Sequence, residues 1–425
     1  MKKYLYLLLV AVVAMLFVGC SSDDELTTCN LKVNLSLPEN ITMQQLRDGV
    51  LSAKNVSNGQ TVQFTDLSDV RLQGGLYDFS YTAKISLPNN VEATVAGARQ
   101  SVEVTGSTSS ITLDLFENIA NDDFIISEIF FAGTLQPSGN QYSGDDYIKL
   151  YNNTDHVLYA DGITIFETEF MTVDKNEYTP DLMNEAVSVQ ALYTVPGNGT
   201  EHPVQPGEYF LIADNGIDHR VSNPNSFDLS HADFEWYDES TNPNFMDIDS
   251  PSVPNMDKWY CYTATYFGLH NRGFRAVGIA RIPVGETEYL DNYFYTYEYE
   301  MVLSVGTFPM SGEAYKIPNE WVVDVVNMSV ASEYQWNVTS PTLDMGWTHC
   351  GTVDHDMSRY FHSVRRKLLY VNASGNPVFQ DTNNSTNDFN AMVVPSEIEN
   401  QGTAVDVDGT PCSVKTYDGV TPIIQ

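Results

Sequence analysis

The stretch Asp145-Asp-Tyr-Ile-Lys-Leu-Tyr-Asn-Asn-Thr154 decides the fold of this chain. Its central part alternates apolar and polar residues around Lys149, which is the period-two pattern of a β-strand with one buried face. The Asn and Asp residues at its ends can satisfy their own backbone groups in turns. Segments 124–129, 158–165 and 204–213 show similar alternation, and the last contains a Pro-Gly pair that favours a tight turn. We therefore predict a β-sandwich over residues 124–392.

This region resembles the lamin-tail type of immunoglobulin-like β-sandwich. That family opens with Ile-Ser-Glu-Ile, followed by a Trp/Tyr-Ile-Glu-Leu-Tyr-Asn strand and a later Pro-Gly-x-Tyr strand. Lys149 stands where the family usually has Glu. The segments that carry the resemblance are 124–129, 145–154, 158–165, 204–213, the pair Arg365-Arg366, and 381–389.

Two intervals, 167–203 and 214–360, are longer than a simple sandwich needs. We interpret them as insertions, and long loops on a rigid scaffold often carry function. Within the second interval, 273–283 and 321–330 are apolar enough to be further core strands.

Residues 28–116 predict a smaller β-sandwich, because short alternating runs are separated by turn signals such as Asn58-Gly59. A helical turn is expected only at 43–50. The Leu-x-Gly-Gly-x-Tyr-x-Phe stretch at 72–79 resembles the transthyretin-like or carboxypeptidase-regulatory type of sandwich. The fold class is thus all-β, with two β-sandwich (Ig-like) domains, the second heavily elaborated by long insertions. Residues 117–123 are interpreted as a linker and 393–425 as a polar C-terminal tail.

The N-terminus predicts export and a lipid anchor. Lys2 and Lys3 precede an uncharged apolar run at 4–18, which is too short to span a bilayer comfortably. Gly19-Cys20 follows, and this arrangement resembles a bacterial lipoprotein signal. It implies a signal peptide at 1–19, lipidation of Cys20 and a tether at 20–27. The alternative is an ordinary secretory signal that is cleaved elsewhere, with Cys20 in a disulfide.

The residues directly after Cys20, Ser-Ser-Asp-Asp-Glu, are polar and acidic. They resemble the signal that sends Bacteroidota-type lipoproteins to the outer face of the outer membrane, although a merely flexible tether would have a similar composition. The whole chain resembles an uncharacterised family of such surface lipoproteins, which brings no established activity. The expected localisation is the outer membrane, lipid-anchored and facing the exterior.

The net charge of −35 excludes nucleic acid as a favoured ligand, because phosphate backbones would be repelled. Anionic headgroups would also be repelled, so the acyl group must hold the membrane. With Cys20 acylated, four cysteines remain, and they allow three disulfide pairings between which the sequence does not choose. They are Cys29, Cys261, Cys350 and Cys412.

Segment 348–362 is the densest cluster of metal-ligating residue types. Imidazole and carboxylate suit zinc or iron, and His together with Met suits haem. If the segment makes a short helical turn, His355 and His362, seven residues apart, could share a face. The alternative is a polar loop whose histidines bond to the backbone. The predicted ligands of a transition metal or haem are His349, Asp354, His355, Asp356 and His362.

Two oxygen-rich segments suggest calcium, with Asp381, Asp388, Asp406 and Asp408 as ligands, although Asn/Asp loops often stabilise turns without an ion. Three aromatic residues beside carboxylates suggest a sugar or protein ligand, with core packing as the alternative. They are Trp236, Trp259 and Tyr260.

No sequence motif supports catalysis: the chain has no Gly-x-Ser-x-Gly elbow, no His-Glu-x-x-His and no phosphate loop. We therefore expect a non-enzymatic binding or accessory subunit, working beside an outer-membrane transporter such as a TonB-dependent nutrient transporter. One alternative is a surface-polymer hydrolase with carboxylates in 214–360. Another is a structural or adhesive surface protein.

Overall fold

The computed structural model describes residues 28–38, 41–86, 92–106, 110–118, 122–303, 305–371 and 374–402. The chain forms two compact units, residues 1–119 and 120–425, and the division falls within the segment interpreted as a linker. The signal peptide, Cys20, the tether, Asp406, Asp408 and Cys412 lie outside the described residues. None of the described helices is long and apolar enough to cross a bilayer.

The first unit is built from two sheets around one core. One sheet has the strand order β4-β1-β7, with β1 and β7 parallel, and the other has the order β3-β2-β5-β6-β8. Apolar side chains of both sheets, such as Leu31 and Leu51, pack in a common core. The strands are β1 (Thr28–Ser36), β2 (Arg47–Asn55), β3 (Thr61–Phe64), β4 (Val70–Gln73), β5 (Gly75–Ser86), β6 (Glu92–Val104), β7 (Ser110–Asp114) and β8 (Phe116–Asn118).

Two local predictions in this unit were wrong in their bounds. The helical turn expected at 43–50 is a 3₁₀ helix at Met43–Gln45 only, because Arg47 already begins β2 and pairs with β5. The linker was predicted to begin at 117, but β8 extends to Asn118 because it pairs with β6 and completes that sheet.

Over its described residues, the second unit contains two large sheets, two two-stranded sheets and three short helices. Its strands are β9 (Ile125–Phe130), β10 (Tyr147–Tyr151), β11 (Leu158–Tyr159), β12 (Ile163–Thr168), β13 (Ala186–Thr194), β14 (Pro203–Val204), β15 (Tyr209–Ala213), β16 (Phe234–Glu235), β17 (Asp257–Cys261), β18 (Val277–Arg281), β19 (Phe294–Leu303), β20 (Gly306–Pro318), β21 (Val322–Val326), β22 (Ser363–Arg366), β23 (Leu368–Val371), β24 (Pro377–Phe379) and β25 (Phe389–Val393). The helices are α1 (Glu286–Asn292), α2 (Ser385–Asp388) and α3 (Ser396–Gln401). Three 3₁₀ helices are His219–Val221, Asn319–Trp321 and Met357–Arg359.

The two large sheets share one hydrophobic core. The first has the order β16-β15-β10-β9-β22-β25, and the second has the order β19-β20-β13-β12-β18-β21 with β17 also paired to β13. Ile148 and Ile212 of the first sheet lie in the same buried cluster as Ile165 and Ile279 of the second. Burial of these alternating apolar faces supplies the main driving force for this arrangement. The all-β fold class is confirmed.

The intervals 167–203 and 214–360 are not loops added to a finished sandwich. Strand β12 pairs with β13 on one side and β18 on the other, and both partners come from these intervals. Without β13 and β18, strand β12 would have no partner in the second sheet. The two core strands expected at 273–283 and 321–330 are present as β18 and β21.

The C-terminal tail was predicted to begin at 393, and this was wrong for its first residues. Val393 ends β25, and helix α3 follows directly with Glu397 and Glu399 buried. Both carboxylates form ion pairs with strands β10 and β22, which hold the helix against the first sheet. Among the described cysteines, Cys29, Cys261 and Cys350, no disulfide is formed.

Candidate functional site

The acidic donors of segment 348–362 have other partners. Asp354 Oδ1 lies 2.7 Å from Arg272 Nη1 in an ion pair. Asp356 caps the 3₁₀ helix that follows it and accepts hydrogen bonds from two neighbouring backbone N–H groups. The His355 side chain is 77% exposed. The carboxylates predicted to bind a metal thus bond to an arginine, in the case of Asp354, and to backbone N–H groups, in the case of Asp356.

The other two histidines of the segment contact backbone carbonyl groups. His349 Nδ1 lies 2.8 Å from the oxygen of Gly351, and His362 Nδ1 lies 2.6 Å from the oxygen of Tyr360. Within the described ranges, no three donors of this segment come within 4.8 Å of one another. The structure therefore does not bring three of the predicted transition-metal or haem ligands together. Asp354 and His355 both lie beside Arg272, whereas the other three side chains bond to nearby backbone groups.

The histidine with the most distinct environment is His270, which the sequence analysis did not single out. Burial, followed by the nearby guanidinium groups of Arg275 and Arg272, lowers the pKa of His270 to about 4. Its ring stacks on Phe274 at a centroid distance of 5.0 Å. This positive, enclosed environment keeps the imidazole neutral in the folded protein.

We predict that replacing His270 with Gln makes the protein less sensitive to acid. An unfolded histidine has a pKa near 6.5, so between that value and about 4 the unfolded chain binds a proton that the fold excludes. The free energy of unfolding should then fall as pH drops through this window, by up to about 3 kcal/mol. Urea unfolding at pH 7 and pH 4 measures the difference. His156→Gln, at an exposed histidine, is the control, and it should show the same fall in the free energy of unfolding between pH 7 and pH 4 as the natural protein.

One group of three metal-type donors does lie together, formed by Asp161, Glu201 and His202. Asp161 accepts hydrogen bonds from the backbone N–H groups of Gly199, Glu201 and His202 at 2.8–3.1 Å. Partial burial acts to raise the pKa of Asp161, but these donors hold it below the usual value. We interpret Asp161 as the anchor of this loop, since both of its oxygens already accept hydrogen bonds.

The calcium site predicted at Asp381 and Asp388 is occupied by a guanidinium group. Arg366 Nη1 lies 3.0 Å from Asp381 Oδ1 and 3.8 Å from Asp388 Oδ2, and Nη2 bonds to Asp324. The Arg366 side chain is 2% exposed. Burial acts to lower the pKa of Arg366, and the three carboxylates raise it. An arginine that already neutralises these carboxylates takes the place that a calcium ion would need.

The predicted ligand aromatics are packed instead of open. Trp236 is fully buried in the core between the two large sheets. Trp259 packs on Tyr289 with ring centroids 5.8 Å apart, and Tyr260 packs on Tyr315 at 4.5 Å. Trp236 therefore cannot contact a ligand from solvent, because its side chain is fully buried.

The β19–β20 hairpin is the most distinctive surface element of the second unit. The two strands pair along their length, from Phe294 opposite Tyr315 to Leu303 opposite Gly306. Strand β13 pairs with β20 only near the base, from Tyr315 onward. The distal part thus continues beyond the sheet as a two-stranded ribbon. We call its exposed apolar residues the hairpin tip: Val302, Val305, Phe308 and Met310.

Aromatic rings brace the hairpin near its base. Phe170 stacks on Tyr178 at 3.9 Å and meets Tyr297 edge-on at 5.1 Å. Trp336 lies 6.1 Å from Tyr178. The Tyr297 hydroxyl also donates a hydrogen bond to Glu169. These contacts fix the hairpin's direction, and the alternating Phe-Tyr-Thr-Tyr-Glu-Tyr-Glu of 294–300 was the sequence signal for such a strand.

A polar cavity of about 200 Å³ lies on the first sheet beside α3. Its lining includes Lys149, Arg365 and Glu399, whose charges pair with one another or with Glu397. Small-molecule sites usually have volumes of about 300–1,000 Å³. This cavity is therefore small for an organic ligand.

Comparison with known proteins finds a family model that matches part of the chain. Residues 205–396 match the family model described as protein of unknown function DUF4876. The matched region runs from just before β15 to the first residue of α3 and so includes the hairpin. No curated protein matches the chain.

A solved structure shows a similar fold. It is the crystal structure, at 2.50 Å resolution, of a DUF4876 family protein from Bacteroides thetaiotaomicron VPI-5482. The two proteins are 23% identical, with a TM-score of 0.53, and the match covers 86% of this chain and 96% of that chain. This likeness concerns the fold alone and assigns no activity.

Proposed function

We propose that the protein is a lipid-anchored, non-enzymatic binding or accessory subunit on the outer face of the outer membrane. In this proposal it engages a membrane protein, such as a TonB-dependent nutrient transporter, through the hairpin tip. The observation that carries the proposal is the protruding β19–β20 hairpin with its exposed apolar end.

A two-stranded ribbon is at best marginally stable alone in water, so its retention beyond the sheet calls for a physical reason. Val302 and Val305 are 76% and 79% exposed, and Phe308 is 45% exposed. A group of exposed apolar residues on one element marks an interaction site more often than scattered single ones do. Glu298 and Glu300 are exposed on the same strand. The matching partner surface would have an apolar pocket with basic residues around it.

The anchor part of the proposal rests on the N-terminal sequence, with its apolar run followed by Gly19-Cys20 and an acidic segment. Acylation would keep this acidic chain, of net charge −35, at an anionic membrane that would otherwise repel it.

The partner proposal is tested by placing a photo-crosslinking amino acid at Val305 in intact cells. We expect one covalent adduct with an outer-membrane protein. The substitutions Val302→Asp and Phe308→Asp, with the probe still at 305, should abolish it. Val221→Asp is the matched control, because Val221 is a valine that is 87% exposed elsewhere in the unit. An adduct that survives both tip substitutions would contradict binding through the hairpin.

The anchor is tested by Cys20→Ala. Acyl chains contribute about 0.8 kcal/mol for each buried methylene, so their loss should move the protein from the membrane fraction to the soluble fraction. Labelled fatty acid should be incorporated into the natural chain and the Ser21→Ala control, but not into the Cys20→Ala chain. Protease treatment of intact cells should degrade the natural protein. Membrane retention of the Cys20→Ala protein would overturn the lipoprotein assignment.

A further inference from the structure

Two aspartates face each other inside the end of the β-sandwich. Strands β10 and β15 are antiparallel, with Tyr147 opposite Ala213, and the pairing continues because the Asp214 N–H donates to the Asp146 carbonyl group at 2.9 Å. Residues directly opposite in such a pair point to the same face. By strand alternation this is the face of Ile148 and Ile212, which lie in the core between the sheets.

Both carboxylates are enclosed and poorly supplied with hydrogen bonds. Asp146 is 6% exposed and Asp214 is 4% exposed. Asp146 Oδ1 is buried with no hydrogen-bond partner among the described residues. Asp214 Oδ1 has only a contact of 3.5 Å to Asn215 Nδ2, which is at the limit of a hydrogen bond. A buried charge without compensation is among the costliest features that a fold can contain.

Nearby acidic groups increase the local negative charge. Burial first, and then the carboxylates of Asp145 and Glu167, raise the pKa of Asp146 well above its usual value. Burial first, and then Asp146 and Asp247, do the same for the pKa of Asp214. Asp247 lies in the same cluster, where Oδ1 accepts from Asn215 at 2.9 Å and Oδ2 accepts from the backbone N–H of Asp238 at 2.8 Å. Asp238 pairs with Lys258, so that lysine is already engaged.

We propose that Asp146 and Asp214 together bind one calcium ion at this end of the sandwich. Calcium takes six to eight oxygen ligands, and these can include carboxylates, backbone carbonyl groups and water. In the described part of the chain, no third acidic or histidine donor completes a set of three within 4.8 Å here. Asp247 therefore contributes through a bound water. The ion neutralises the facing carboxylates and ties β10 to β15.

The test measures thermal unfolding of the purified mature chain in EDTA and in excess calcium, together with the calcium retained after desalting. At about 100 times the dissociation constant, a ligand of the folded state alone should raise Tm by about 5 °C in a domain of this size. We expect about one calcium ion per chain. Asp146→Asn and Asp214→Asn should each remove the shift and the bound ion.

The Asn substitutions keep the side-chain shape and remove a charge, so both variants should stay folded and have a Tm in EDTA at least as high as the natural chain. Asp291→Asn, at an exposed aspartate of α1, is the matched control and should keep the calcium response. An equal Tm with and without calcium would overturn the proposal and show that the pair holds a proton instead. Calcium binding that persists in both Asp146→Asn and Asp214→Asn would overturn it as well.

Discussion

Replacing Arg366 with alanine should lower the free energy of unfolding of the second unit by about 3–5 kcal/mol, which is the usual cost of removing one partner from a buried ion pair. The guanidinium group is the shared partner of Asp324, Asp381 and Asp388 and also donates to the carbonyl group of Ile126 at 2.8 Å. Its loss would leave three carboxylates near one another without their cation. All five tryptophans lie in the second unit, so urea unfolding followed by Trp fluorescence reports on the right part of the molecule.

Arg220 provides a matched control for this prediction. Its guanidinium group also bonds to two aspartates, Asp218 at 2.7 Å and Asp228 at 3.3 Å, but its side chain is 40% exposed. Exposed ion pairs contribute about 0–1 kcal/mol, so Arg220→Ala should have little effect. If Arg366→Ala lowers the free energy of unfolding by no more than Arg220→Ala does, then burial does not strengthen the ion pairs of Arg366.

The Arg366 cluster also shows how Asp381 and Asp388 come together around a side-chain cation. The sequence indicated correctly that Asp381 and Asp388 would lie together in an oxygen-rich loop. It did not show that a strand 15 residues earlier would direct Arg366 at the same oxygens. Nor could it show Asp324, which lies 42 residues from Arg366 in sequence and on another strand. Local composition indicates the donors, whereas strand pairing decides which cation meets them.

Strand alternation predicted most of the sheet elements because it depends only on neighbouring residues. Strand pairing was harder, since β12 pairs with β18 from more than 100 residues away, and no local pattern encodes that partner. The hairpin tip was missed for a related reason: Val302 and Phe308 look like core residues until the end of β13 shows that nothing covers them among the described strands. The lamin-tail and transthyretin-like resemblances stay predictions.

The histidine-rich segment shows that residues close in sequence need not share a site. His349 and His362 are close in sequence, but each turns to a carbonyl group near it. Asp146, in contrast, lies in segment 145–154, which was predicted as a strand, and Asp214 directly follows segment 204–213. Once the register between β10 and β15 is known, strand alternation places both side chains on the same face of the sheet. Only the structure gives that register.

Replacing Lys149 with methionine should lower the free energy of unfolding by about 3 kcal/mol at pH 7, again the range for a broken buried pair. The Lys149 ammonium group pairs with Glu397 and donates to Ser396 Oγ at 2.6 Å, and both side chains of the ion pair are less than 10% exposed. Burial acts to raise the pKa of Glu397, but Lys149 lowers this pKa to about 2. The stabilising effect is therefore complete above about pH 4.5 and is lost as the pH falls toward 2. Urea unfolding at pH 7 and pH 3 should show the difference between the two proteins shrinking in acid.

The double variant Lys149→Met, Glu397→Gln separates the pair from the packing around it. Methionine keeps the apolar stem that lies against Tyr209, whose ring centroid is 5.3 Å from Lys149 Nζ. With both charges gone, no uncompensated carboxylate remains buried, so the double variant should be more stable than Lys149→Met alone. A Glu at position 149 would instead face Glu397 across the α3 contact. The Lys at 149 and the Glu in α3 are therefore coupled, and a double variant no more stable than Lys149→Met would show that the helix is held by its other contacts.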